Sequence, residues 1–407
     1  MTFEELCTFE VLYDAYLTAR QGKRDKAGTA QYEAQALACT QRLVHLLLSG
    51  TYHPSKFETF EVFEPKRRLV QAPAFVDKVV QHALVDNILY DAITRSFIEH
   101  NYASQIWKGM HFGLTHLENQ MRDYYLKRKG HDEAARRAAG LPYRPREEWD
   151  YAEGWVLKAD VRHFFASIDH DLLKEKLARK IEDPKVYDLM CVYIDSTSGL
   201  PLGYQTSQLL ALLFLDEFDH WVKEKLHAKY YGRYMDDFYI ISDSKEYLQG
   251  CWRQINSKMD ALKLELNEKT AIFPLRNGIN FLGFHTYLDD GGAVIMKLRQ
   301  DSLDRMKART RGWKKDKEAG TLDVARTVNR WKAWDAHAAH AAHGDTFELR
   351  KQIAAIVSEI TGVTCEARKP IRAGKYDKAK EAVRKVNRQR RRPPAPAQQK
   401  VPTGYPW

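Results

Sequence analysis

Apolar positions along this chain recur with two periods, and the switches between them mark its elements. Leu6, Phe9, Leu12, Tyr13, Tyr16 and Leu17 fall at three- and four-residue steps, and a second stripe runs through Leu37, Leu43, Leu46 and Leu47. Both stripes predict helices within residues 1–50, parted by a polar break over 21–28. Residues 57–71 alternate instead, with Phe57, Thr59, Glu61 and Phe63 on one face and Phe60 and Val62 on the other. That period predicts a strand, a turn at Pro65 and a second strand over 68–71. Residues 77–98 return to the helical period.

The stretch 125–154 is charged and punctuated by Gly140, Pro142 and Pro145, so it reads as a surface insertion. A short apolar strand follows over 155–159, then helices over 172–181 and 209–226. Residues 233–242 predict a hairpin, 251–264 another amphipathic helix, and 279–287 another strand. Helices alternating with short, partly non-adjacent strands predict an α+β domain with helices on one face of its sheet. Beyond Arg299 the chain becomes basic, and a last helix is expected over 347–360.

Composition narrows the class. With 44% hydrophobic and 12% aromatic residues among 407, the body can bury a sizeable core, which excludes global disorder. No apolar run approaches the roughly 18 residues of a membrane-spanning helix, the longest being 209–215. Glu4, Glu5 and Glu10 give the start of the chain no signal-peptide character. Cys7, Cys39, Cys191, Cys251 and Cys365 are far apart, so neither a disulfide framework nor a cysteine zinc site is expected, and a cytoplasmic location fits. The net charge of +10 is unevenly placed. Residues 366–407 hold thirteen basic residues and three acids, 13 − 3 = +10, so residues 1–365 sum to zero. A single-signed tail of this kind suits a polyanion.

Asp236 and Asp237 carry the most chemical information. They stand between apolar neighbours, Tyr234–Met235 and Phe238–Tyr239–Ile240, at the expected tip of a hairpin. Two like charges brought close together are costly unless a cation neutralises them, which points to a divalent metal. Asp160, ending the strand 155–159, supplies a third carboxylate. Three such groups can hold two Mg²⁺, one activating a hydroxyl and the other stabilising a leaving phosphate, with Mn²⁺ as a substitute. On spacing alone, the pair is suggestive, and a polar turn is the alternative explanation.

The ordered company resolves this. Residues 158–169 (KADVRHFFASID), 198–208 (SGLPLGYQTSQ), 234–237 (YMDD), 266–270 (LNEKT) and 280–284 (NFLGF) resemble five successive motifs of the reverse transcriptases. Residues 64–69 (EPKRRL) and 77–83 (DKVVQHA) resemble that family's fingers. The resemblance implies a right-hand polymerase fold: N-terminal helices and fingers over 1–154, palm over 155–290, thumb over 291–365, then the basic tail 366–407. It implies an RNA-directed DNA polymerase that uses an RNA template, a DNA or RNA primer and deoxynucleotides (dNTPs). In its terms Asp160, Asp236 and Asp237, with the Val161 carbonyl, hold the metals. Lys66 and Arg68 would clamp the triphosphate, Phe165 would gate the sugar, and Leu202, Gly203 and Gln208 would line the nucleotide site. Lys269 would act as general acid, and Tyr234, Met235, Phe281, Leu282 and Gly283 would grip the primer. Arg305, Arg309 and Trp313 would hold the duplex backbone.

Gly203-x-x-x-Ser207-Gln208, Leu202 and residues 12–23 resemble most closely the branch found in diversity-generating retroelements, and Leu202 suggests error-prone copying. A related branch serves antiphage defence with a dedicated non-coding RNA. A non-catalytic RNA-binding scaffold on the same fold is a third reading. His337, His340 and His343, at three-residue steps, could bind zinc, but contact with nucleic acid or a plain surface position fits their Ala-rich surroundings better. An accessory protein or a second copy of the chain could complete a ribonucleoprotein.

Overall fold

The computed structural model describes residues 1–63, 67–339 and 346–369 of the chain. These divide into two compact units, one formed by the described residues of 1–282 and 286–294, the other by residues 283–285 with 295–339 and 346–369. Strands and helices mix throughout, and every strand pair with a defined register is antiparallel. Among the described residues no helix is long and apolar enough to cross a membrane.

In the first unit, β1 (Glu58–Val62) and β2 (Arg68–Ala72) form the expected two-stranded ribbon. The turn at Pro65 lies outside the described residues. Four strands build the main sheet: β3 (Trp155–Asp160), β4 (Tyr230–Tyr234), β5 (Asp237–Ser242) and β6 (Ala271–Pro274), in the order β4-β5-β3-β6. Side chains alternate across it. Leu157, Ala159, Phe238 and Ile240 enter one buried cluster with the helices Gln205–Phe214 and Lys245–Ala261. Val156, Tyr239 and Ile241 enter a second cluster on the opposite face, with Leu117, Met121, Tyr124 and Tyr125. Phe238 and Ile241 are buried on opposite faces, each side chain stabilising the fold by roughly 1.5–3 kcal/mol of transfer free energy.

Helices therefore cover both faces of the sheet, not one. The second cover is the helix Met110–Ala138, which takes in half of the supposed insertion 125–154. Its apolar stripe ends at Tyr125, and beyond that turn charged pairs such as Lys129–Glu133 line it at i,i+4 spacing. The charged residues there lie along the exposed face of a helix. The long helix expected over 209–226 is two, Gln205–Phe214 and Asp216–Glu224, broken at Leu215. Three acids in the first turn of the second, Asp216, Glu217 and Asp219, favour that restart by complementing the positive end of its dipole. The strand expected over 279–287 is likewise two, Ile279–Phe281 (β7) and Phe284–Leu288 (β8), because Leu282 and Gly283 adopt φ of 50° and 86°.

The second unit holds the helices Gln300–Glu318, Val324–Ala339 and Phe347–Thr361. Met306, Trp313, Trp331, Trp334, Ile353 and Val357 are buried there. So is an ion pair, Arg350 to Asp335 at 2.8 Å, with both side chains 1% exposed. Arg350 also donates to the Arg368 carbonyl at 2.9 Å, and the Arg368 N–H donates to Asp335 at 3.1 Å. The backbone as far as Arg368 thus belongs to the folded unit, and a boundary at 365 falls too early. The rest of the tail lies outside the described residues.

Candidate active site

Antiparallel pairing sets the site. In the β3–β5 register Asp160 stands directly opposite Asp237, so two carboxylates meet at the end of the sheet. Like charges in that position repel. Lys158, two residues back on the same face of β3, forms an ion pair with Asp237 across the diagonal. Asp236 occupies the β4–β5 turn beside Met235, whose φ is 56°. The Val161 N–H donates to the Asp236 carbonyl at 3.1 Å, which ties the turn to the end of β3.

Electrostatics single out Asp236. Burial raises its pKa above the ordinary 3.8, and the neighbouring Asp160 charge raises it further. Arg68 on β2 and Lys158 act in the opposite direction. The charge of Arg68 therefore reaches the carboxylates from the ribbon, whereas Arg67 pairs with Glu61. Lys66 lies outside the described residues. Asn267 is a contact that spacing did not single out: its backbone N–H donates to the Asp160 carbonyl at 2.7 Å and its side-chain amide to the carboxylate at 3.4 Å. Its place inside the segment 266–270 was the available signal. Lys269 is exposed two residues on, with its backbone N–H bound to the Asn267 side chain.

All three acids offer hard oxygen donors, and the repulsion between Asp160 and the acids facing it is what a divalent cation relieves. The donor set fits such an ion. Among the described residues, though, no three His, Cys, Asp or Glu side chains stand gathered as a ready-made metal cluster. Asp237 engages Lys158 instead.

Around the carboxylates, Phe164 is buried while Phe165 is half-exposed, with their rings edge to face at 5.7 Å. The Leu200 N–H donates to the Phe165 carbonyl at 2.7 Å, joining segment 198–208 to segment 158–169. Leu202 is 41% exposed. Gly203 lies against the backbone of Gln71 and Ala72 on β2, a close approach that leaves no room for a side chain. Gln208 is exposed and accepts a hydrogen bond from Ser104 at 2.7 Å. Tyr234 and Met235 are half-buried.

Two expected contact residues are in the core. Phe281 is 1% exposed, packed edge to face on Tyr239 at 5.1 Å. Trp313 is 6% exposed, on the inner side of its helix. The sequence does not show their burial, because it depends on partners distant along the chain. Leu282 and Gly283 form the bend between β7 and β8. Arg305 is exposed and paired with Asp301 at 3.1 Å, and Arg309 is half-exposed. His337 stacks on Phe284 at 5.5 Å, while His340 and His343 lie outside the described residues.

Residues 137–286 match the family described as reverse transcriptase (RNA-dependent DNA polymerase). The protein YkfC of Escherichia coli (strain K12) is 24% identical over 309 residues, which cover 64% of this chain and 74% of YkfC. The COX1/OXI3 intron 2 protein of Saccharomyces cerevisiae is 27% identical over 135 residues, covering 30% of this chain and 15% of that protein. Telomerase from Candida tropicalis superposes with a TM-score of 0.43 at 10% identity, over 83% of this chain and 60% of the telomerase chain. The chain thus spans only three-fifths of the telomerase chain and a small part of the yeast protein.

Proposed function

We propose, proceeding from a reverse transcriptase domain over residues 137–286, that this protein is an RNA-directed DNA polymerase copying a dedicated RNA into complementary DNA. The observation that carries this reading is the pairing of Asp160 with Asp237 at the end of the β3–β5 ladder, with Asp236 in the adjoining turn tied to β3 through the Val161 N–H. The main sheet serves as the palm, the β1–β2 ribbon belongs to the fingers, and the helices of the second unit serve as the thumb.

The oxygen of a primer 3′-hydroxyl attacks the α-phosphorus of a dNTP, its proton leaves, and the bond to pyrophosphate breaks. Asp160, Asp236, Asp237 and the Val161 carbonyl would hold the divalent cations, Mg²⁺ or Mn²⁺, which when bound supply activation of the hydroxyl and neutralisation of phosphate charge. The residues of the chain do the rest. Arg68 brings positive charge against the triphosphate, where it offsets charge developing in the transition state. Phe165 places a half-exposed ring where a 2′-hydroxyl would have to pass. Lys269, on the exposed turn after Asn267, is available to protonate the leaving pyrophosphate. Arg305 and Arg309 provide phosphate-backbone contacts.

Within this reading a retroelement that copies with errors is favoured by Leu202, an exposed aliphatic side chain that offers no hydrogen bond to an incoming nucleotide. Leu202→Gln should lower the misincorporation frequency, and an unchanged frequency removes the error-prone element. Antiphage defence uses the same chemistry, and sequencing of co-purified RNA separates the two. Primer extension on an RNA template, wild type beside Asp236→Ala/Asp237→Ala, tests the enzyme itself. Metal-dependent DNA product is expected from the wild type and none from the variant. No product from a folded wild type supplied with template and primer would favour the non-catalytic scaffold.

A further inference from the structure

Beneath the turn that carries Asp236 lies an arginine with no exposed surface. Arg233 precedes Tyr234 at the end of β4, and its guanidinium forks over Asp219 of the helix Asp216–Glu224, Nε to Oδ1 at 2.6 Å and Nη2 to Oδ2 at 2.5 Å. Both side chains are 0% exposed. The Tyr231 hydroxyl donates to the same carboxylate at 2.6 Å. The remaining nitrogen, Nη1, donates to the carbonyl oxygen of Met235 at 2.7 Å. The Arg233 backbone is also held, its N–H donating to the His100 carbonyl at 2.9 Å and its carbonyl accepting from the Tyr102 N–H at 2.9 Å.

Met235 is the residue in the left-handed region, a conformation that side-chain-bearing residues adopt only when their surroundings enforce it. A buried ion pair is in itself a poor stabiliser, since apolar residues of the same volume often do as well. Stability therefore leaves this pair unexplained, whereas a donor fixed on the carbonyl of the strained residue accounts for it. We infer that Asp219 and Arg233 form a positioning dyad. Asp219 neutralises and orients the guanidinium, and Arg233 clamps Met235 so that Asp236 and Asp237 are presented to Asp160. Neither residue touches the reacting atoms. Only a planar guanidinium can bind a carboxylate with two nitrogens and direct a third at a carbonyl; a lysine ammonium can neutralise Asp219 but cannot hold both in that geometry.

This inference rests on the polymerase reading, and its test separates the two. In the full-length protein, Arg233→Lys keeps the charge balance and should stay folded at the assay temperature, with a melting temperature lowered by the buried hydrogen bonds it cannot make. Its kcat should nevertheless fall by about 10- to 100-fold, as for a reactive group misplaced by up to an ångström, while KM for dNTP stays close to the wild-type value. A purely structural pair predicts the reverse, with lysine restoring kcat together with folding. A folded Arg233→Lys of wild-type kcat overturns the inference. If that variant does not fold, the wild type decides: in protein labelled with ¹⁵N-arginine, the Arg233 Nη protons should exchange slowly. Exchange as fast as that of exposed arginines overturns the clamp. A wild type that extends no primer would count against the polymerase reading, and the Nη exchange would still decide whether Met235 is clamped.

Discussion

Replacing Gly203 with alanine drives a methyl group into the backbone of β2. The added carbon would lie 2.8 Å from the carbonyl carbon of Gln71 and 3.2 Å from the Cα of Ala72, and closer still to the Gln71 carbonyl oxygen. Two carbons attract at about 3.5–4.0 Å, so the first contact is about 0.7 Å too short. No flexible side-chain end can yield, because both partners are main chain. Either β2 or segment 198–208 must move, and overpacking of this kind costs about 1–3 kcal/mol. The displacement falls between Arg68, three residues before Gln71, and Leu202. Since a 1 Å misplacement can cost 10²-fold in rate, a shift of this size should lower kcat/KM for dNTP on the order of 10-fold. Urea unfolding and single-nucleotide extension measure the two effects. Gly250→Ala is the control, because a methyl there meets nothing within 4 Å and lies inside the helix Lys245–Ala261. That change should stabilise by up to about 1 kcal/mol. If Gly203→Ala matched its control in stability and kept wild-type kinetics, the close approach of β2 to this segment would be refuted.

Three further outcomes are expected. Phe165→Ala should raise incorporation of ribonucleotides relative to deoxynucleotides in a competition assay, and an unchanged ratio would show that the half-exposed ring does not gate the sugar. Burial, with help from Lys223 and His116, lowers the pKa of His100 from 6.5 to about 4. Between those values the unfolded chain binds a proton that the folded one refuses, so stability should fall as pH drops from 6.5 toward 4; His100→Gln should flatten the slope by up to about 1.4 kcal/mol per pH unit in urea titrations. Truncation after Lys369 removes eleven basic residues and two acids, 11 − 2 = +9, and should weaken RNA retention with a shallower salt dependence while short-template synthesis survives. Truncation after Cys365 also strips the buried Asp335 of the Arg368 N–H and should cost about 1–3 kcal/mol more, read from thermal melts of the two variants.

The sequence by itself determined the elements whose period is local and the chemistry whose residues are adjacent. The short apolar run 155–159, the aromatic and β-branched residues around Asp236–Asp237, and the acids at their ends were legible because such runs favour strands whatever they pair with. The thirteen basic residues of 366–407 were legible because charge needs no partner to be counted. Tertiary structure alone decided which residues share an environment. Register placed Asp160 opposite Asp237, and only that pairing brought Lys158 onto the diagonal. Burial among distant partners moved Phe281 and Trp313 from expected surface contacts into cores. Packing against the sheet fixed the first half of Met110–Ala138, up to Tyr125, and the helix runs on from there through the charged stretch. Nothing adjacent in the sequence distinguishes Arg233 from the chain's other basic residues. What sets it apart is the buried carboxylate of Asp219, fourteen residues away, because the desolvation of both charges and the aim of the third nitrogen exist only once the helix and the strand have packed together.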